Sequence, residues 1–156
     1  MSEKYGDSVA VHLRHFPLPN HPGSDPAARA MQAALRQGKG WELGELLFAN
    51  ARSLGPDTVV GFAEQVGLGD LDRFKADFAS DEVKAEVQND LKAGRDARLR
   101  STPTILVNGL LYQGQRSVEG LGAVVEAEIK KADALLASGT PIAQVYETLA
   151  KQNVAK

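Results

Sequence analysis

The chain of 156 residues contains no cysteine at all. That removes disulfides, thiolate ligands and cysteine nucleophiles at a stroke, because each requires a sulfur that can ionise or be oxidised. Aromatic residues are scarce, at 6% with a single tryptophan, so the core must be assembled chiefly from aliphatic side chains. No apolar run approaches the roughly 18 residues of a membrane helix, and the opening Met1–Asp7 lacks the apolar centre of a signal peptide. Neither sign of charge predominates: 18 Lys and Arg stand against 20 Asp and Glu. The basic residues are scattered among acids, which speaks for solvated helix faces and against a nucleic-acid surface. What remains is an ordinary globular composition, with 43% hydrophobic and 24% charged residues. The length suits one domain with a core of its own.

The most informative stretch runs from Ser101 to Gly109. Ile105, Leu106 and Val107 form an unbroken apolar run, expected as a strand buried on both faces. Asn108-Gly109 then offers a type I′ turn, since both residues accept positive φ. Leu110 to Tyr112 is expected to return as the partner strand. Thr102-Pro103 stands just before this hairpin, and an X-Pro bond is the one peptide bond that adopts cis at modest cost.

Upstream, Val9, Val11 and Leu13 alternate with Ala10, His12 and Arg14, and Phe16 keeps the odd register. A period of two predicts a strand over Val9–Phe16, stopped by Pro17 and Pro19. Helical signals follow. Asp25 with Pro26 reads as an N-cap and first position of a helix through Gln37. Trp41 to Asn50 reads as a second helix with Leu43, Leu46, Leu47 and Phe48 on its apolar face, and Trp41 beside them in the core. A third begins at Gly55-Pro56-Asp57 and ends at Gly67, and a fourth at Asp70. Ser80 caps a fifth that runs to about Arg100, with Gly94 as its weak point. Ser117 caps a long helix that ends at Gly139, and Thr140-Pro141 starts a last one.

Thr-Pro-Thr, an apolar strand, Asn-Gly, a second strand and a long helix resemble the C-terminal half of a thioredoxin fold. More narrowly, they resemble the DsbA-like thiol:disulfide oxidoreductases and bacterial protein-disulfide isomerases. Arg14-His15-Phe16-Pro17-Leu18-Pro19 is similar to the strand and exit that follow that family's first helix, with Ser2–Gly6 as the tail of the helix. The resemblance implies an α/β, thioredoxin-like fold of DsbA-like type over residues 1–156. The helical insertion would span about 26–100, and an extra C-terminal helix about 140–153. It also implies that the central strand, which bears the family's Cys-x-x-Cys motif, is missing between Val9–Phe16 and Thr104–Val107. The flanking edges would then pair with another chain, so a homo-oligomer through sheet edges is expected.

In that family the proline is cis, and its loop holds substrate by β-type pairing. The resemblance therefore names Ser101, Thr102 and Pro103 as substrate-binding residues for an extended peptide or protein. Ser101 stands where many relatives carry glycine. Without cysteine no thiolate exists to exchange disulfides, so no catalytic residue is assigned. The alternative is a cysteine-free peptide-binding or dimerisation module. The family is typically periplasmic or exported, and the sequence leaves this chain's compartment open.

Other chemistries find little support. On a strand, His12 and His15 point to opposite faces and cannot share an ion. His21 lies in a proline loop, and no metal or other cofactor is expected. Ser24 and Ser101 lack a nucleophile elbow or a base.

Overall fold

A computed structural model describes residues 2–154 and divides the chain into two compact units. One comprises residues 13–100. The other joins residues 1–12 to residues 101–156.

The unit of residues 13–100 is helical and is built around its least bulky element. Helix α2 (Ser24–Leu35) packs against α3 (Gly40–Ala49), α4 (Pro56–Gln65), α5 (Leu71–Ala79) and α6 (Asp81–Asp96). Alanine makes this possible, because a side chain of one carbon lets several helices approach one axis closely. Ala30, Ala33 and Ala34 are fully buried beside Met31, with Leu43, Leu47, Val59, Ala63 and Phe74 closing round them. Gly44 serves the same end: a Cβ there would meet Met31 Cε at 2.9 Å. The caps on α5 and α6 form as the sequence predicts. Asp70 accepts from the Arg73 N–H at 2.8 Å and Ser80 from the Val83 N–H at 3.1 Å.

Several expectations are corrected here. Helix α2 begins at Ser24 with Gly23 at its N-cap, and Asp25 instead faces Arg29 Nε at 3.4 Å one turn on. Trp41 is 49% exposed and Phe48 74% exposed, so neither belongs to the core. On α3, Leu43 and Leu47 share the buried line four residues apart. Phe48 lies a further ~100° round the axis. Helix α6 stops at Asp96 rather than Arg100, because Arg98 adopts a left-handed φ of 59° while the Leu99 N–H returns to the Gly94 carbonyl at 2.9 Å.

In the other unit, α1 (Ser2–Tyr5) is followed by a 3₁₀ turn, Gly6–Ser8. Strands β1 (Leu106–Val107) and β2 (Leu110–Leu111) form an antiparallel pair, and α7 (Val118–Ala137) and α8 (Ile142–Val154) pack on it and on each other. Asn108 and Gly109 have φ of 46° and 82°, the conformation that the Asn-Gly signal anticipates. Tyr112 N–H to Ile105 O, at 2.9 Å, lengthens the ladder by one rung. Ser117 caps α7 by accepting the Gly120 N–H at 3.0 Å.

The hairpin is not buried on both faces. Leu106 and Leu111 are cross-strand partners and are 51% and 45% exposed, whereas Val107 and Leu110 are half-buried on the opposite face. Val9–Phe16 is also corrected. The segment is not a strand, because a strand exists only as a hydrogen-bonded ladder and none pairs with it among the described residues. Within it, the Val9 N–H returns to Gly6 O at 3.4 Å and the His15 N–H goes to Asp90 Oδ2 at 3.0 Å.

Candidate functional site

Ser101, Thr102 and Pro103, the three residues singled out by the sequence, lie together on one exposed bend. The Thr102–Pro103 peptide bond is cis. Two contacts fix the shape of the loop. Thr104 Oγ1 donates to the Ser101 carbonyl at 2.6 Å, and Arg116 Nη2 donates to the Pro103 carbonyl at 3.1 Å. The Thr104 bond is a local hydroxyl-to-backbone turn, which these short polar side chains form readily. The Arg116 bond crosses from the residue just before the N-cap of α7. Among the described residues, the N–H groups of Ser101 and Thr102 and the Thr102 carbonyl have no hydrogen-bond partner within the protein. The loop therefore leaves main-chain donors and an acceptor open to the solvent.

Sequence reasoning missed Arg116. Its signal was weak, since a lone basic residue before a serine cap resembles any surface arginine. It also missed a polar centre in the same unit. Glu128 lies on the inward line of α7 and is only 2% exposed. Its carboxylate accepts Lys131 Nζ at 2.5 Å and Asn153 Nδ2 at 3.0 Å, with Asn108 Nδ2 at 3.4 Å. Burial alone would raise its pKa, and it is the largest single influence. The hydrogen bonds from Lys131, Asn153 and Asn108, with the Lys131 charge, outweigh it and hold the carboxyl below its ordinary range. The position interrupts an otherwise apolar stripe, and that interruption was the available clue.

The histidines are not brought together as a metal site. His12 and His21 are exposed, and His15 is buried with Nε2 3.3 Å from Gln32 Oε1. Gln32 Nε2 donates to Glu86 Oε2 at 2.8 Å, so its oxygen faces the ring and the neutral imidazole donates from Nε2. Burial pushes the His15 pKa down, against the raising effects of Asp90 and the Gln32 bond. Glu86 also accepts Arg36 Nη2 at 2.9 Å, and Arg36 Nη1 reaches Asp77 at 2.8 Å. This chain of contacts ties helices α2, α5 and α6. No group of three or more potential ligands that could hold a metal occurs among the described residues.

Residues 1–127 match a family model described as thioredoxin. The chain is also similar to part of several longer proteins. It is 37% identical over 119 residues to the Na(+)/H(+) antiporter NhaA 3 of Salinispora tropica, a match covering 76% of this chain and 18% of that protein. It is 35% identical over 123 residues to the Na(+)/H(+) antiporter NhaA of Herminiimonas arsenicoxydans, covering 79% and 19%. A third relative, the Na(+)/H(+) antiporter NhaA 1 of Mycobacterium sp. strain KMS, is 36% identical over 126 residues, covering 79% and 20%. The chain thus spans about a fifth of the length of these relatives. Among the described residues no helix is long and apolar enough to cross a membrane. No solved structure matches the chain. With the family model covering its first 127 residues, from α1 into α7, the chain belongs to the thioredoxin family.

Proposed function

We propose that residues 1–156 act as a DsbA-like thioredoxin domain that binds extended polypeptide at Ser101–Pro103 and does no thiol chemistry. The observation that carries this reading is the exposed bend whose Ser101 and Thr102 N–H groups and Thr102 carbonyl stay unpaired beside a hairpin. A main chain presented in this way can take up another main chain by β-type pairing, with affinity from the backbone and selectivity from neighbouring side chains. The absence of cysteine supports the second half of the reading, because thiol–disulfide exchange begins with attack by a thiolate. In this reading the helical insertion spans about 26–100 and the helix at about 140–153 is an addition to the domain.

The antiporter names of the relatives support a further part of the reading. A domain of this kind can be carried on a longer antiporter chain and serve it by binding. Ion transport is not proposed for this chain.

The test is titration of the 156-residue chain with several unfolded peptides, with a photo-crosslinker placed at position 101. Saturable binding with crosslinks from that position is expected. Flat titrations across the set would remove the reading, as would turnover in a disulfide reductase or isomerase assay.

A second reading is a homo-oligomer through unpaired edges. It is favoured by the exposed Leu106–Leu111 side chains on the open face of the hairpin and by the two-stranded sheet, whose outer edges have no strand partner among the described residues, since exposed edges invite pairing between chains. Light scattering at micromolar concentration should then give more than the monomer mass of 16.7 kDa. A strictly monomeric mass would exclude it.

A further inference from the structure

We infer that the Ser101–Pro103 loop selects acidic segments, its occupant being an extended peptide whose side-chain carboxylate lies against Arg116. The inference rests on the binding role proposed for that loop and adds the chemistry of the ligand.

The argument begins with one guanidinium. Arg116 is exposed, and its hydrogen bond within the protein goes from Nη2 to the Pro103 carbonyl. A guanidinium carries five N–H donors in a planar fork, so most of this one remains available beside the loop. Among the described residues no carboxylate pairs with it. Glu119 is the nearest acid in sequence, three positions on, and forms no ion pair with Arg116. Arg14, Arg29, Arg36 and Arg73 each face a carboxylate, whereas Arg116, like Arg52, Arg95, Arg98 and Arg100, has none among the described residues.

Local composition agrees. The protein as a whole carries a net charge of −2, yet between Asp96 and Glu119 the sequence holds Arg98, Arg100 and Arg116 and no acid. Along the sequence, the loop is thus flanked by basic residues with no acid among them. The unpaired Ser101 and Thr102 N–H groups add donors. The remaining guanidinium N–H groups and these two amides are all donors, which favours an acceptor-only anion. An arginine fork and a carboxylate match in geometry and give the stronger, charge-assisted class of hydrogen bond. Arg116 also shapes the loop through Pro103, so a carboxylate on its free edge would be held in fixed register with the paired main chain.

The test uses the full chain and three labelled peptides of one extended sequence, acetylated and amidated at their ends. They carry Glu, Gln or Lys at alternate positions, and fluorescence anisotropy reads the affinity. The Glu peptide should bind about tenfold more tightly than the Gln peptide, as expected for one charge-assisted hydrogen-bonded pair. The Lys peptide should bind most weakly, and the Glu advantage should shrink as salt rises. Arg116→Gln should abolish that advantage while Arg116→Lys retains part of it. The Gln-peptide affinity of each variant reports whether the loop itself survives. Equal binding of the Glu and Gln peptides would overturn the acidic preference and leave peptide binding standing, and a Glu advantage unchanged in Arg116→Gln would overturn the pairing of the carboxylate with Arg116. No binding by any of the three would overturn both.

Discussion

Asn153, near the end of the last helix, donates from Nδ2 to the main-chain carbonyl of Asn108 at the tip of the hairpin, 2.9 Å away. The same amide nitrogen lies 3.0 Å from Glu128 Oε2, and the Lys131 ammonium is 3.4 Å from Asn153 Oδ1. One side chain thus joins the turn, α7 and α8. Packing follows the same line. Val145, Leu149 and Asn153 form the buried stripe of α8 at spacings of four, and a Cβ on Gly109 would come within 3.0 Å of Ala150 Cα. The sequence presents α8 as an addition to the domain, and it lies beyond the residues that match the thioredoxin family model. The structure makes it part of the packing around the hairpin.

Removing the amide should therefore loosen the helix and the turn together. Asn153→Ala leaves the Glu128 carboxylate buried with one donor fewer, and a loss of about 1–3 kcal/mol is expected for a buried group deprived of its partner. Urea unfolding followed by circular dichroism measures it. A change within about 0.5 kcal/mol, as at an ordinary surface position, would mean that the amide does not anchor α8.

The same carboxylate gives an acid limit to stability. Its pKa in the folded protein lies below the ordinary carboxylate value, so the unfolded state binds the proton more readily. The stabilising contribution is complete above the unfolded value and declines as pH falls through the folded one. Glu128→Gln should flatten the stability profile below about pH 4.5, near the unperturbed carboxylate value, relative to the native chain. An identical acid limb in the two proteins would show that Glu128 does not set it.

His15 acts at higher pH with the same sign. Burial lowers its pKa, so the folded state prefers the neutral ring and the unfolded state takes up the proton first. Stability due to this residue is complete above about pH 6.5, the unperturbed histidine value, and falls as pH drops below it. Acids and bases both face this region: Asp90 approaches the His15 main chain, Arg14 pairs with Asp90, and Glu86 lies behind Gln32. His15→Gln should weaken the pH dependence between about 5 and 6.5, the window just below that value. Proton titration of the ring by NMR should give a value below the ordinary one. A raised value would reverse the assignment.

Much of this architecture is legible in the residues themselves. Asp70, Ser80 and Ser117 cap helices because a short side-chain oxygen reaches a free N–H three positions on, a purely local relation. Asn108-Gly109 is readable for the same reason. Relations that depend on distant partners were not. Alternation in Val9–Phe16 describes a chain able to be a strand, but a ladder needs a second chain segment that the pattern cannot supply. Leu106 resembles a residue buried on both faces until the two-stranded ladder leaves one face open. Phe48 and Trp41 are apolar without being inward, because helix phase is fixed by Leu43 and Leu47. At the candidate site, Ser101–Pro103 was found from its resemblance to a known loop. Arg116 was not, because its approach to Pro103 spans 13 residues and a turn of chain.

Gly94 shows how a long-range contact reverses a local rule. On propensity, glycine near the end of α6 is a weak point, and alanine should gain up to about 1 kcal/mol. Yet a Cβ at this position would lie 2.7 Å from Cδ2 and Cε2 of the Phe16 ring. The glycine gives the ring its seat against the helix. Relief requires the ring to move, and overpacking of this kind costs about 1–3 kcal/mol. Gly94→Ala should therefore destabilise the native chain, whereas in a Phe16→Ala background the same change should be stabilising by about 0.5–1 kcal/mol. A double-mutant cycle by urea unfolding isolates the coupling between the two sites. If alanine at 94 stabilises both backgrounds equally, helix propensity governs the position and the ring does not rest there.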